Sequence, residues 1–124
     1  MAEKITSFTQ LRTWQEARKF AVEIYKITED LPAHERFGLV SQMRRAAVSV
    51  AANIAEGFSR NTANDKIRFY AMALGSLTEI LSHAFIARDI GFLSATKLEY
   101  IDRQMTELHK MINGMMKSAK GKNT

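Results

Sequence analysis

Apolar residues recur along this chain at spacings of three and four, the period of helices with one buried face. No stretch alternates with the period of two expected of a half-buried strand. Four periodic segments are delimited by proline, glycine and capping residues. The first runs from about Thr9 to Asp30. Trp14, Ala17, Ala21, Ile24, Tyr25 and Thr28 fall on one face of it at about 100° per residue, while Arg12, Lys19, Glu23 and Lys26 lie elsewhere. Phe8 and Leu11 are placed to anchor its start. Leu31-Pro32 ends it, because proline disfavours helical geometry in the residue before it. Pro32 also suits the first position of a second helix, expected over about 33–58, with Glu35 at its positive end and Gly38 weakening its first turns.

A third helix is expected over about 62–90, capped by Asn61 or Thr62 and stopped at Gly91. Its inner face reads Phe69, Tyr70, Ala73, Leu74, Leu77, Ile80, Leu81, Ala84 and Phe85. A fourth, over about 95–117, carries Leu98, Ile101, Met105, Leu108, Ile112 and Met115 as a heptad seam. The expected fold is all-α: one domain, residues 1–117, forming an up-down-up-down antiparallel four-helix bundle, followed by a disordered basic tail at 118–124.

The second helix has an unusual circumference. With Arg45 at 0°, Glu56 falls near about 20°, Ser49 near 40°, Gln42 near 60° and Asn53 near 80°. These form one polar stripe. Leu39, Met43, Ala46, Val50 and Ile54 form the core face. The remaining arc holds Ala47, Val48, Ala51, Ala52 and Ala55, with Arg44 its one charge. A helix apolar on almost every side is normally buried on almost every side, which in so small a bundle requires a second subunit. The alternative is that alanine is there as a good helix former and tolerates water. On the first reading Arg45, Ala47, Ser49, Ala51, Asn53, Ala55 and Glu56 belong to a subunit contact, with the charges paired to fix register. An acid/base or ligand site at Asn53 and Glu56 is the functional alternative.

Composition narrows the class. Hydrophobic residues are 46% and charged residues 25% of 124, an ordinary globular mixture. There is no cysteine, so disulfides and thiolate metal sites are excluded. The start of the chain has no apolar signal core, and no apolar run approaches the roughly 18–20 residues needed to span a bilayer. A cytoplasmic location without membrane contact is expected. The net charge of +5 is concentrated: Lys110, Lys117, Lys120 and Lys122 carry four of the charges, with no acid after them. Around the second turn, Arg44, Arg45, Arg60, Lys66 and Arg68 face only Glu56 and Asp65. Arg44, Arg60, Lys66 and Arg68, with Lys117, Lys120 and Lys122, are therefore the candidate phosphate contacts; the alternative is that Arg44 and Arg45 serve interfaces and only the others are wet.

Other chemistry is thinly represented. Glu79 and His83, four apart, are a metal half-site or a surface pair. The glycines are isolated, so no phosphate loop exists, and no nucleophile–base–acid motif is visible. No catalytic residue, metal or cofactor is expected. The methionines are core filler or, at Met111, Met115 and Met116, a docking surface.

The stretch from Ser41 to Arg60 resembles the signature of the proteins encoded in intervening sequences of bacterial 23S rRNA genes. It carries Ser41, Gln42, Arg44, Arg45, Ala46, Ala47, Ser49, Asn53, Ile54, Ala55, Glu56, Gly57 and Arg60 of that pattern. Phe8, Leu11 and Trp14, then Pro32, Glu35, Phe37, Gly38 and Leu39, then Arg68, Phe69, Ala73, Gly75, Ser76 and Glu79, extend the match. Ile90, Gly91, Phe92 and Leu93 correspond to a Leu-Gly-Tyr-Leu before the last helix. Ala51-Ala52 departs from a more usual Pro-Ala. The resemblance implies a four-helix bundle assembled into a homopentameric ring, and it does not imply an enzyme. Relatives serving diversity-generating retroelements imply nucleic acid, RNA or DNA, and a reverse transcriptase as partners. A ring serving structure or protein interaction alone, with no nucleic-acid ligand, is the other expectation.

Overall fold

The computed structural model describes residues 4–121, and among these every regular element is helical. Four long helices follow one another: α1 (Arg12–Thr28), α2 (Leu39–Ser59), α3 (Ala63–Ile90) and α4 (Ala95–Gly121). Each packs on its chain neighbour, and α4 closes back onto α1. The short connections make the helices alternate in direction, so the start of α1, the α2–α3 turn and the end of α4 share one pole.

Local chemistry sets most boundaries. A single 3₁₀ turn, Phe8–Gln10, precedes α1, and its Ser7–Gln10 capping box satisfies the exposed amides. Phe8 meets Trp14 edge to face at 4.9 Å, the anchor expected of it. Thr62 caps α3 by accepting from the Asp65 amide, and Gly91 ends that helix at φ 99°, a left-handed conformation that glycine adopts without strain.

Two boundaries depart from expectation. Residues 33–38 are not α-helical: one 3₁₀ turn, Ala33–Glu35, is followed by a turn, and α2 begins at Leu39. Glu35 acts from outside α2, its Oε1 accepting from the Leu39 amide at 3.1 Å. At the other end α4 continues through 118–121, where the sequence pattern predicts the start of a disordered tail. Ala119 is the reason. It is the next position of the heptad seam after Ile112 and Met115, and it is buried. Lys122 and the rest of the expected tail lie outside the described residues.

The core is continuous across all four helices. In α1 the buried face is Thr13, Ala17, Phe20, Ile24, Ile27 and Thr28, so the expected face is rotated. Phe20 and Ile27 point inward, whereas Tyr25 is largely exposed and Trp14 and Ala21 are half-buried. In α2, Met43, Ala46, Val50 and Ile54 are buried as expected, while Val40 replaces Leu39 and Ala47 joins them. Phe85 leaves the expected inner face of α3 for solvent, and Ala87 takes part instead. Helix α3 is long and apolar enough to cross a bilayer by length and composition alone, so the expectation that no run approaches that length does not hold for it. Apolar residues occupy its core face (Leu77, Ile80, Ala84) and its outer face too (Met72, Phe85, Ile86, Ile90).

Candidate nucleic-acid interface

The antiparallel topology brings the two basic segments of the sequence together. The half of the bundle at the α2–α3 turn (residues 4–20, 50–76 and 109–121) holds ten lysines and arginines against three acids. The other half (21–49 and 77–108) holds seven against nine. The described residues therefore form a strongly polarised body, with one pole at +7 and the other at −2. Such separation of charge sets up a long-range field that is positive at one end.

At the turn, each candidate side chain has a definite placement. Phe69 in the first turns of α3 gathers two of them: the Arg60 guanidinium carbon lies 4.6 Å from its ring centroid and that of Arg68 lies 4.5 Å away. Each arginine also meets a carboxylate of its own stretch, Arg60 to Glu56 at 3.5 Å and Arg68 to Asp65 at 3.9 Å. Lys66 works within the fold. Its Nζ donates to the Phe58 carbonyl at 2.6 Å and lies 3.4 Å from that of Gly57. It thereby places a cation on the negative end of α2, where the last carbonyls lack helical partners.

Behind the turn lies a cleft of about 500 Å³ lined by Ile5, Leu11, Phe58, Tyr70, Met115 and Ala119, with Lys4 and Lys66 contributing to its walls. Tyr70 is almost wholly buried, and that desolvation pushes its phenol above the ordinary value of 10.0. On the flank of α4 facing away from the core, Lys110, Lys117 and Lys120 border a shallow groove with Asn113, Gly114 and Met116. Lys117 and Lys120 are exposed and have no ion pair among the described residues.

Arg44 is placed elsewhere. It sits near the opposite pole and ties α2 to the end of α1, its Nε donating to Thr28 Oγ1 at 2.9 Å and its terminal nitrogen to the Tyr25 carbonyl and Glu29 Oε2, both at 3.1 Å. The Tyr25 ring lies 4.6 Å from its guanidinium carbon. Sequence spacing alone groups Arg44 with the turn; the fold separates them by most of the length of α2.

The polar stripe of α2 is divided as well. Asn53 donates to the Ser49 carbonyl and hydroxyl, and the Ser76 hydroxyl reaches across from α3 to Ser49 at 2.9 Å. Arg45 is exposed and makes no hydrogen bond or ion pair among the described residues, while Glu56 is exposed and occupied by Arg60. Of the apolar arc, Ala47 belongs to the subunit's own core; Ala51 and Ala55 are half-buried, and Val48 is half exposed. Val48 and Ala51 combine with Arg18, Ala21, Val22 and Tyr25 of α1 into an almost wholly apolar groove of about 540 Å³. Sequence reasoning misses the α1 half of this groove, because helical periodicity places Tyr25 and Ala21 inward.

Glu79 and His83 approach to 3.4 Å as a pair on one helix. No group of three or more metal-ligating side chains occurs among the described residues.

These features define an all-α antiparallel four-helix bundle with a basic pole and an apolar flank. The family model of the 23S rRNA-intervening sequence protein matches residues 9–114, and the chain belongs to that family. A search of curated proteins finds no match. Among solved structures, the chain is similar to a protein of unknown function from the S23 ribosomal protein family of Bacteroides thetaiotaomicron. The identity is 23% and the TM-score 0.75, over 85% of this chain and 98% of the other. At that identity the likeness shows the fold.

Proposed function

We propose that this protein is a non-enzymatic, ring-forming bundle that binds RNA or DNA through the basic pole, with a reverse transcriptase as the protein partner that the family resemblance points to. The observation that carries the reading is the charge polarity. Ten basic side chains lie in the half of the bundle that ends at the α2–α3 turn and the end of α4. Lys117 and Lys120 are the phosphate contacts, and Arg60 and Arg68 meet the same ligand at the turn. Lys66 sets the turn that presents them, and Arg44 serves the fold.

Assembly rests on the surplus of apolar surface. The α1–α2 groove and the outer face of α3 both lie open on one subunit. A homopentameric ring would cover both and repeat the basic pole five times, raising avidity for a polymer. Ala51→Glu places a charge in the groove and is expected to reduce the sedimenting mass to that of one 14.0 kDa chain, while Lys120→Glu leaves it unchanged. An unaltered mass for Ala51→Glu refutes that interface.

Binding is tested by fluorescence anisotropy over a salt series with labelled RNA and DNA. Phosphate contacts require affinity to fall as salt rises, and the double variant Lys117→Glu, Lys120→Glu should flatten that slope by about two counterions. Salt-independent binding, or none, refutes the reading. The second reading, a ring engaging proteins alone, would instead show partner capture without nucleic acid.

A further inference from the structure

We infer that the basic pole takes unpaired strands in preference to duplex, and that the Arg60–Phe69–Arg68 stack is its base platform. This rests on the nucleic-acid reading above and adds the class of substrate. Three observations carry it. Two guanidinium groups are held over one ring, at 4.6 and 4.5 Å. Their side chains remain 40% and 60% exposed, so each can be reached from solvent. Arg60 Nε is buried with no hydrogen-bond partner among the described residues, so ring packing and Glu56 hold that guanidinium in place.

The charge at the stack is already met. Glu56 pairs with Arg60 and Asp65 with Arg68, so these arginines add little to long-range attraction. What they offer is two flat cationic groups fixed on an aromatic support. A planar guanidinium stacks on the face of any exposed base, and a base is exposed only in a single strand, loop or end. In duplex the bases are stacked on each other and the platform has nothing to receive. The exposed Lys117 and Lys120 on α4, at the same pole, supply the phosphate attraction that the stack lacks.

The test compares a 16-nucleotide oligouridine RNA, a 16-nucleotide oligothymidine DNA and a duplex with the same number of phosphates, by anisotropy at one salt concentration. Wild type is expected to bind both single strands about tenfold more tightly than duplex. Phe69→Leu keeps an apolar side chain but removes the support, and the single-strand to duplex ratio should fall towards one. Arg68→Lys, which keeps the charge without the plane, should lower the ratio in the same direction. Circular dichroism of each variant checks that the bundle is intact, and Arg68→Lys, on an exposed side chain, serves if Phe69→Leu does not fold. Equal affinity of wild type for strand and duplex overturns the inference while leaving nucleic-acid binding standing. So does a preference, for one sugar or both, that survives both substitutions. Absence of binding to all three probes overturns the underlying reading as well.

Discussion

Gly57 lies in the last turn of α2 and is buried, and the reason it is glycine is steric. A Cβ placed there would lie 2.5 Å from Tyr70 Cε1, 2.8 Å from Cδ1 and 3.2 Å from Phe69 Cβ. Ordinary contact begins near 3.4 Å, so the Tyr70 ring would have to retreat by close to an ångström. The ring is 2% exposed, so although it lines the cleft behind the turn its retreat disturbs the side chains packed around it. Replacing glycine by alanine in a helix normally gains at most about 1 kcal/mol. Forcing a methyl into a packed site costs about 1–3 kcal/mol. Overpacking wins, and Gly57→Ala should destabilise by about 1–2 kcal/mol. Gly114 gives the opposite sign. It lies inside α4, and a Cβ there meets nothing within 4 Å, so Gly114→Ala should stabilise by about 0.5–1 kcal/mol.

Urea unfolding followed by far-ultraviolet circular dichroism, at one fixed protein concentration, measures both. A third measurement isolates the cause. In a Tyr70→Leu background the two clashing ring carbons are gone, and the cost of Gly57→Ala should shrink by at least about 1 kcal/mol as a coupling between the sites. If Gly57→Ala is as stable as Gly114→Ala, or if its cost persists undiminished in the Tyr70→Leu background, the close approach of α2 and α3 at the basic pole is wrong.

Two more predictions concern the opposite pole and the buried phenol. Arg44→Met keeps the aliphatic stem but removes the donor to Thr28 Oγ1, one of the donors to the Tyr25 carbonyl and the pairing with Glu29, and should cost about 1–2 kcal/mol in urea unfolding. Arg45→Met, at an exposed position with no hydrogen bond or ion pair among the described residues, should stay within about 0.5 kcal/mol; equal effects would refute the assignment of Arg44 to the α1–α2 contact. For Tyr70, burial raises the folded-state pKa, so above pH 10.0 the unfolded chain loses a proton that the folded chain keeps. Stability from this group is therefore complete below pH 10.0 and declines as pH rises through the folded value. Tyr70→Phe should flatten that alkaline decline, and an unchanged profile would show the phenol to be wet.

The four helices were legible because their apolar periodicity is long and their punctuation is strong at Pro32, Thr62 and Gly91. Faces were less legible where a helix carries more apolar residues than one face can hold. In α1 the large rings of Trp14 and Tyr25 drew the expected face toward themselves, yet the buried positions are Phe20 and Ile27. The excess is a property of the surface, and periodicity cannot tell a core residue from one awaiting a partner. The site was partly legible for a related reason. Composition located the basic segments, and antiparallel topology was enough to bring them to one pole. Which cations are engaged inside the fold depends on contacts between distant residues. Arg44 reaches back to Thr28, and Lys66 reaches the Phe58 carbonyl across the turn. Neither partner is marked in the sequence by a spacing rule.

The polarity of charge and the surplus of apolar surface bear on each other. The open α1–α2 groove and the open outer face of α3 lie on different helices, so a contact that joins them pairs unlike surfaces. Contacts in which each of two unlike surfaces is used once per subunit repeat head to tail, closing into a ring or running on as a filament. Two-fold pairing about an axis perpendicular to the helices would set the basic poles at opposite ends. In a ring whose axis follows the helices, every subunit points the same way, and all the basic poles lie on one rim. A rim of that kind gathers the +7 of each subunit into one continuous anionic-polymer track, and the −2 poles stay together on the far side. Within the proposed ring, cyclic assembly is therefore what turns a modest excess of +5 per chain into a surface able to hold a strand.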